Sequence, residues 1–173
     1  MIQGAFKAWS AVANVQFARV ADDGVAMRGT TASSDIRVAG ASFAGAGISG
    51  VGGIGYFPPY IVSPFNGFSI AGDIVFNTDL LAASPAPSFF NLAAHEIGHA
   101  LGLDHTSMAN SLMSPAACSG CRSFVGPQAD DISGVRFLYG IALSPVPESA
   151  MSAMLLVGLG TFLLRQRGVA KAA

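Results

Sequence analysis

The sequence predicts an α+β fold, formed by one domain and followed by a short tail. Apolar residues recur at helical spacing near the N-terminus and in two later segments, and short apolar stretches between glycine- and proline-rich turns are typical of strands. A linker with two prolines then precedes a last apolar run. Because single domains commonly contain roughly 100 to 200 residues, a chain of 173 residues has room for one domain and a tail.

Three helices and four strands are predicted in this domain. The first helix covers residues 2–13, and the second begins after the SPAP segment with Ser88 as its N-cap. The third, over 128–139, carries two acids near its positive end and aligns Val135 and Leu138 on one face. The predicted strands share short, mostly apolar sequences and lie at 15–20, 35–40, 52–57 and 69–77.

Composition and one glycine motif argue against nucleotide and nucleic-acid binding. Only 11% of residues are charged and the formal net charge is −1, so the chain has no basic field for a phosphate backbone. The stretch GVGGIG (50–55) matches G-x-G-x-x-G, but YFPP follows it, and two prolines do not begin the helix that such a phosphate site requires. We therefore interpret this stretch as a flexible loop that enters a strand.

The stretch HEIGHALGLDH contains all three histidines of the chain. On a helix, His95 and His99 point the same way from adjacent turns, and Glu96 lies beside that face. Gly102 can adopt the conformation that ends a helix, so the chain turns His105 back toward the other two. Three imidazoles with an open fourth position are typical of a catalytic zinc site, whereas structural sites use four protein ligands.

The methionine that follows this stretch has two interpretations. Met113, in SLMSP, could form a hydrophobic floor under the three imidazoles, or it could be an ordinary core methionine. H-E-x-x-H alone occurs by chance in unrelated chains. The third histidine and the intervening glycine argue against coincidence, and we therefore favour the floor.

H-E-x-x-H-x-x-G-x-x-H followed by a methionine turn is the metzincin pattern, and within that group the sequence resembles the matrixins. The segments that carry this resemblance, in the family's order, are AFKAWSAVANVQFARV, SSDIRVAG, GIGYFPP, AGDIVFN and ADDISGVRFLYG. The resemblance covers residues 2–140. It implies a zincin-like fold, in which a twisted, mainly parallel sheet with an antiparallel edge strand packs on helices.

The resemblance also implies a zinc endopeptidase. His95, His99 and His105 would be the zinc ligands and Glu96 the general base for a zinc-activated water, with Met113 beneath the metal. An extended polypeptide substrate would pair with the edge strand through main-chain hydrogen bonds. The predicted edge-strand residues are Gly53, Ile54, Gly55 and Tyr56.

Several positions depart from the family pattern. Ligands of the family's second, structural zinc would fall at Gly55 and Val75, so we predict one zinc. Asp73 and Asp79 stand near carboxylates that bind calcium in the family, although two acids beside a strand are more often a solvated edge. Ala117 replaces a tyrosine of the specificity pocket, so the shape of that pocket cannot be transferred.

The beginning of the sequence lacks family features as well. The strand that should precede the first helix is missing, and we find neither an export signal nor an inhibitory propeptide cysteine. We expect an N-terminally truncated sequence, and we assign residues 1–140 to the truncated catalytic domain.

Cys118 and Cys121 are the two cysteines of the chain. In an oxidising compartment we expect them to form a small disulfide that stiffens the loop after the methionine turn. A redox or metal role is the alternative. It is less favoured because one C-x-x-C pair supplies half of a tetrahedral site.

The C-terminal part divides into a linker (141–149), an apolar helix (150–164) and a basic tail (165–173). At about 1.5 Å per residue the apolar helix spans roughly 23 Å, short of the roughly 30 Å hydrocarbon core of a bilayer. The order of VPES, apolar helix and basic end resembles the PEP-CTERM sorting signal of bacterial envelope and extracellular proteins, although Ser149 replaces the usual second proline. A plain membrane anchor is the alternative, and both place the domain outside the cytoplasm.

Two functional hypotheses follow. The first is an exported bacterial zinc endopeptidase, expected as a monomer, that acts on extended polypeptides and contacts the membrane through its C-terminal segment before processing. The second is a non-catalytic envelope protein that keeps the fold for adhesion or matrix assembly. Glu96 argues against the second hypothesis, because a scaffold has no need for a base beside the metal.

Overall fold

The computed structural model describes residues 1–27, 35–48, 50–59, 70–81, 86–115 and 126–143. The chain divides into two compact units, Met1–Ala142 and Leu143–Ala173, and nearly all of the second lies outside the described residues. The elements of the first unit are α1 (Ile2–Ser10), β1 (Val38–Ala41), a 3-10 turn (Ala44–Ala46), β2 (Gly53–Gly55), β3 (Ile74–Asn77), α2 (Thr78–Leu81), α3 (Ala86–Ala100) and α4 (Ala129–Tyr139).

The three described strands form one mixed sheet in the order β1-β3-β2. β1 pairs with β3 in parallel, Val38 opposite Ile74, whereas β2 pairs with β3 antiparallel, Gly53 opposite Phe76. The segment predicted as an antiparallel edge strand therefore lies at one edge of the described sheet. With one pairing of each kind, this part of the sheet is mixed and not mainly parallel.

α1 packs against α3 and ends earlier than predicted. Its buried residues include Ala5 and Trp9, and the Trp9 indole Nε1 donates a hydrogen bond to Ala94 O at 2.9 Å. The helix ends at Ser10 because the backbone after it forms a tighter turn, in which Val12 N donates to Trp9 O, three residues earlier, at 3.1 Å. The prediction of a helix to residue 13 was three residues too long.

The prediction of a strand at 15–20 was wrong. Within the described residues this segment has no partner strand, and its neighbour Asn14 donates its amide to Gly140 O at 3.0 Å. Val15 and Phe17 pack against the core instead, with the rings of Phe17 and Phe6 centred 4.7 Å apart. The alternation of apolar residues therefore reflects packing on α1.

The other strands are shorter than their apolar stretches predict. Gly72 has a φ of 84° in the turn before β3, and its amide donates to Tyr56 O at 3.1 Å, so the strand begins at Ile74. Next to this turn, Arg37 and Asp73 form a buried ion pair with N···O of 2.7 Å. Arg37 also donates to the carbonyl oxygens of Ala26 and Met27, so the pair holds that loop on the sheet.

α3 forms the centre of the domain. It begins at Ala86, so Ser88 lies inside its first turn and not at the predicted N-cap. Its core face packs on α1 and the sheet, and the apolar residues of this helix and its end that are buried are Ala93, Ala94, Ile97, Ala100 and Leu101. Because the helix is covered on several sides, its polar residues are buried too.

α4 closes the described part of the domain. Val135 is buried as predicted, but Leu138 is 48% exposed. The next residue turns inward instead, with Tyr139 Oη donating to Leu101 O at 2.9 Å. No helix in the described ranges is long and apolar enough to span a membrane, and the predicted apolar helix at 150–164 lies outside those ranges.

Candidate active site

The three histidines meet at one point. α3 presents His95 and His99 from adjacent turns, and Gly102, with a φ of 96°, reverses the chain so that His105 returns. The Nε2 atom of His99 lies 3.1 Å from that of His95 and 3.2 Å from that of His105. The Nε2 atoms of His95 and His105 are also 3.2 Å apart, so three ring nitrogens face a common centre.

Backbone carbonyls fix two of these rings from behind. His95 Nδ1 lies 2.7 Å from Leu112 O, and His99 Nδ1 lies 2.8 Å from Leu103 O. A carbonyl accepts only, so each Nδ1 carries the proton and donates it. Each Nε2 then directs its lone pair to the centre, as a metal ligand does.

His95 and His99 are held in the neutral form by burial. Burial lowers the pKa of His95 to about 4, the bond to Leu112 opposes this, and the neighbouring His99 and His105 lower the pKa further. Burial also lowers the pKa of His99. Neutral imidazoles bind metals without first releasing a proton, so these ring nitrogens can accept a cation directly.

The arrangement fits a zinc ion. Ligand nitrogens bound tetrahedrally at about 2.0–2.1 Å lie about 3.3 Å from one another, close to the observed 3.1 to 3.2 Å. His95 and His99 are buried whereas His105 is exposed, so the centre is accessible from one side. The three histidines therefore form a possible metal site.

Glu96 is a buried carboxylate beside the histidines in sequence and beside β2 in space. Its side chain accepts a hydrogen bond from Gly55 N at 2.6 Å, and the residue is 5% exposed. Burial raises the pKa of Glu96 to about 7, and the bond from Gly55 opposes part of that effect. A carboxyl group with this pKa can both accept and return a proton near neutrality.

The backbone N–H and C=O groups of β2 point alternately toward β3 and toward the outer edge of the sheet. Tyr56 N donates to Asp73 O at 2.8 Å, and Asn77 N donates to Gly52 O at 2.9 Å. In an antiparallel pair the residues between such bonds direct their groups away from the partner. Gly53 and Gly55 therefore present their main chain to the outer edge, on the side of Glu96, whereas Ile54 faces β3.

Met113 packs against the site helix at Gly98, and its place beneath the metal stays a prediction. The side chain is 2% exposed, and a Cβ on Gly98 would stand 2.3 Å from its Sδ. A bare Gly98 is therefore required for α3 to rest on this methionine.

These features agree with comparisons to known proteins. A family model for Matrixin matches residues 1–140. The chain belongs to the matrixin family. It is 34% identical over 157 residues to "Matrix metalloproteinase-18" of Xenopus laevis, which covers 87% of this chain and 30% of that protein. It is 33% identical over 141 residues to "Macrophage metalloelastase" of Oryctolagus cuniculus, covering 80% of this chain and 28% of the relative.

A plant relative matches a shorter part of the chain. "Metalloendoproteinase 2-MMP" of Arabidopsis thaliana is 38% identical over 71 residues, or 41% of this chain and 18% of that protein. This matrixin spans about three tenths of the length of its two animal relatives named above. The family implies a metzincin fold and, with these relatives, supports a metalloendopeptidase, whose zinc site the three-histidine cluster resembles.

Asp131 is a site residue that the sequence analysis missed. It is 2% exposed and lies in the first turn of α4, where an acid is ordinarily explained by the positive helix end. Its carboxylate instead accepts from the methionine turn and from its own helix start: Ser111 Oγ, Leu112 N at 2.8 Å, Met113 N at 3.0 Å and Gln128 N at 2.7 Å. The bond from Gln128 N is that of a capping box, whereas no local pattern signals the contacts with the methionine turn.

The bonds to Asp131 reach the histidine cluster. The same Leu112 that donates its amide to Asp131 offers its carbonyl to His95 Nδ1 at 2.7 Å. Asp131 therefore fixes the peptide that orients a candidate zinc ligand of this matrixin.

The two candidate calcium carboxylates are engaged within the protein. Asp73 accepts from Arg37 N at 2.8 Å and from Arg37 Nε at 2.9 Å, so a guanidinium already neutralises it. Asp79 is exposed and accepts from Ser42 Oγ at 3.0 Å and from the amides of Phe43 and Ala44 at the start of the 3-10 turn. A calcium role for these residues stays a prediction, as does the single zinc.

Other predicted features lie outside the described residues. Cys118 and Cys121, with the predicted disulfide, belong to this group, and so does Ala117 of the specificity pocket. The sorting signal and the basic tail are likewise outside, and these predictions remain as stated.

Proposed function

We propose that this matrixin is a zinc-dependent endopeptidase that cleaves extended polypeptides. The observation that carries the proposal is the convergence of three imidazole Nε2 atoms within 3.2 Å of one another. A buried carboxylate, Glu96, follows the first of these histidines and lies against the edge strand. This combination supports metal-assisted hydrolysis.

Glu96 would act as the general base and then as the general acid. Zinc at the three histidines would supply a Lewis acid that polarises the scissile carbonyl and lowers the pKa of water to about 7. Glu96 takes one proton from the attacking water and passes it to the leaving amine. The raised pKa of about 7 suits a group that must do both.

The edge of β2 would hold the substrate. An extended peptide can add to an exposed strand edge through main-chain hydrogen bonds. The carbonyl of Gly55 is the available group, since the amide of Gly55 donates to Glu96 and Gly53 is buried. A peptide paired there runs alongside the carboxylate that would act on it.

We further infer that the protein is exported and bacterial, and that residues 146–164 act as a PEP-CTERM sorting signal at the cell envelope. Kinship with a matrix metalloproteinase supports export. VPES, the apolar run and the basic end of the sequence support the sorting signal.

The test is hydrolysis of casein by the full, zinc-loaded chain, before and after removal of the metal by a chelator. Chelation should abolish hydrolysis, and Glu96→Gln should lower it by about 10²- to 10⁴-fold, the typical contribution of a general base. Asp35→Asn, an acid-to-amide change at an exposed position, is the matched control and should leave the rate unchanged. Hydrolysis that survives chelation or Glu96→Gln would contradict the mechanism, and a zinc-loaded but inactive chain would favour the non-catalytic envelope protein.

A further inference from the structure

At Gly55 the backbone of strand β2 lies directly on the backbone of helix α3. A Cβ on Gly55 would stand 2.2 Å from the backbone O of Glu96 and 2.9 Å from His99 Cβ. Real Cβ atoms essentially never approach a heavy atom so closely, so this contact requires glycine at position 55. The close approach brings the outer edge of the strand directly against the side chain of Glu96.

Gly53, the other glycine of the strand, lies against the side chain of Glu96. A Cβ on Gly53 would stand 3.0 Å from Glu96 Cγ and 3.1 Å from Oε1, tighter than nine in ten real contacts. Gly55 meanwhile donates its amide to Oε2 at 2.6 Å. Gly53 therefore leaves the space that the carboxylate of Glu96 fills, and Gly55 fixes the orientation of that carboxylate.

Glu96 needs such a constraint. A glutamate side chain has several rotatable bonds, and fixing it costs conformational entropy. Among the described residues the hydrogen bond from Gly55 is the polar contact that holds the carboxylate. Without it the side chain could adopt rotamers that point away from the cleavage site.

We propose that Gly53 and Gly55 are positioning residues for the catalytic base, an inference that rests on the proposed function. Gly55 acts through its amide and its missing side chain, and Gly53 acts through its missing side chain alone. The edge strand would therefore have two roles, since it would pair with the peptide and orient the group that cleaves it.

Gly53→Ala tests the proposal without a backbone collision, because its nearest contacts are side-chain atoms of Glu96. In the zinc-loaded chain we expect kcat to fall by up to about tenfold, because the Glu96 side chain must shift by a few tenths of an ångström and a displacement of about 1 Å costs about a hundredfold. KM for a short peptide should change little and the zinc content should stay that of the wild type. Gly45→Ala is the matched control, since a Cβ there meets nothing within 4 Å.

A measurement without turnover tests the role of the Gly55 amide, because a Cβ on Gly55 would collide with the backbone of α3. In the metal-free protein the amide proton resonance of Gly55 should lie at low field in the NMR spectrum, because a carboxylate accepts its hydrogen bond. Glu96→Gln should move this resonance to higher field, and Asp35→Asn should leave it in place. An unmoved resonance, or a Gly53→Ala variant with wild-type kcat, would overturn the proposal.

The two hypotheses fail in different ways. If the wild-type, zinc-loaded chain does not hydrolyse peptides, the proposed function fails. If the wild type is active while Gly53→Ala keeps its kcat, the endopeptidase stands and the positioning role of the two glycines is wrong.

Discussion

Glu96 and Asp131 are both buried carboxylates, and their surroundings differ. Asp131 accepts hydrogen bonds from one hydroxyl and three backbone amides. Glu96 accepts one bond, from Gly55, within the described part of the chain. The exposed fractions are similar, 2% for Asp131 and 5% for Glu96, so burial alone does not separate them.

The difference in the number of hydrogen-bond donors is consistent with a structural role for Asp131 and a proton-transfer role for Glu96. A carboxylate with four donors ties together the segments that supply those donors. A carboxylate with one donor keeps an affinity for protons, and burial accordingly raises the pKa of Glu96 to about 7. Asp131 therefore holds the methionine turn in place, while Glu96 can exchange a proton near neutrality.

The largest expected effect is that of Asp131→Ala. Three backbone amides, two of them buried, would lose their acceptor, and each unsatisfied buried donor costs about 1–3 kcal/mol. We expect the free energy of unfolding to fall by roughly 3–5 kcal/mol in chemical denaturation. Zinc affinity should fall about 10- to 100-fold, because Leu112 would no longer hold His95 in place.

Asp130→Ala is the control for this prediction. Asp130 is exposed and lies in the same helical turn, so its removal has the same effect on helix charge. If both variants lost equal stability, the helix end and not the methionine turn would explain the role of Asp131.

The next effect concerns pH in the metal-free protein. Glu96 has a folded pKa of about 7 against an ordinary 4.5, so its contribution to stability is present below pH 4.5 and is lost as the pH rises through 7. His95 has a folded pKa of about 4 against 6.5, so its contribution is present above pH 6.5 and is lost as the pH falls through 4. Each difference of 2.5 corresponds to about 3 kcal/mol, and the two largely cancel in the wild type.

Variants at these positions separate the two contributions. Relative to the wild type, Glu96→Gln should gain stability as the pH rises from 4.5 to 7. His95→Gln should gain stability as the pH falls from 6.5 to 4. The measurement is urea unfolding across this range, and profiles that tilt in the same direction would contradict the assignment.

The smallest effect is that of Ser111→Ala. Ser111 Oγ donates to Asp131 Oδ1 and accepts from Met113 N at 3.0 Å, but the carboxylate keeps its three amide donors. We expect a loss of about 1–2 kcal/mol in the free energy of unfolding. Ser133→Ala removes an exposed hydroxyl that donates to Ala129 O and should cost less than about 0.5 kcal/mol. An equal loss in both variants would show that the carboxylate does not depend on Ser111.

Helical periodicity predicted the helices better than apolar alternation predicted the strands. The second and third helices were predicted within two or three residues of α3 and α4, because each buries a continuous face. The stretch 15–20 alternates like a strand, but Phe17 reaches Phe6 and its backbone joins no strand in the described residues. Whether a half-buried segment joins a sheet depends on a partner that local sequence does not specify.

The same contrast holds within the site. The spacing of His95, His99 and His105 predicted their convergence, because helix geometry and one glycine turn determine it. The contacts of Asp131 with Leu112 and of Gly55 with Glu96 join residues 19 and 41 positions apart. Tertiary packing decides such contacts, so the supporting groups could not be predicted from local pattern.

Trp9 gives the protein an internal optical reporter. It is the chain's one tryptophan, it is fully buried, and its indole is bonded to Ala94 on the helix that carries the histidines. A Cβ added to Gly98 would stand 3.1 Å from its ring, so the indole touches the same turn as the site. The intrinsic fluorescence of Trp9 therefore reports on α3 without any label. A red shift of the emission would indicate that α3 has separated from α1.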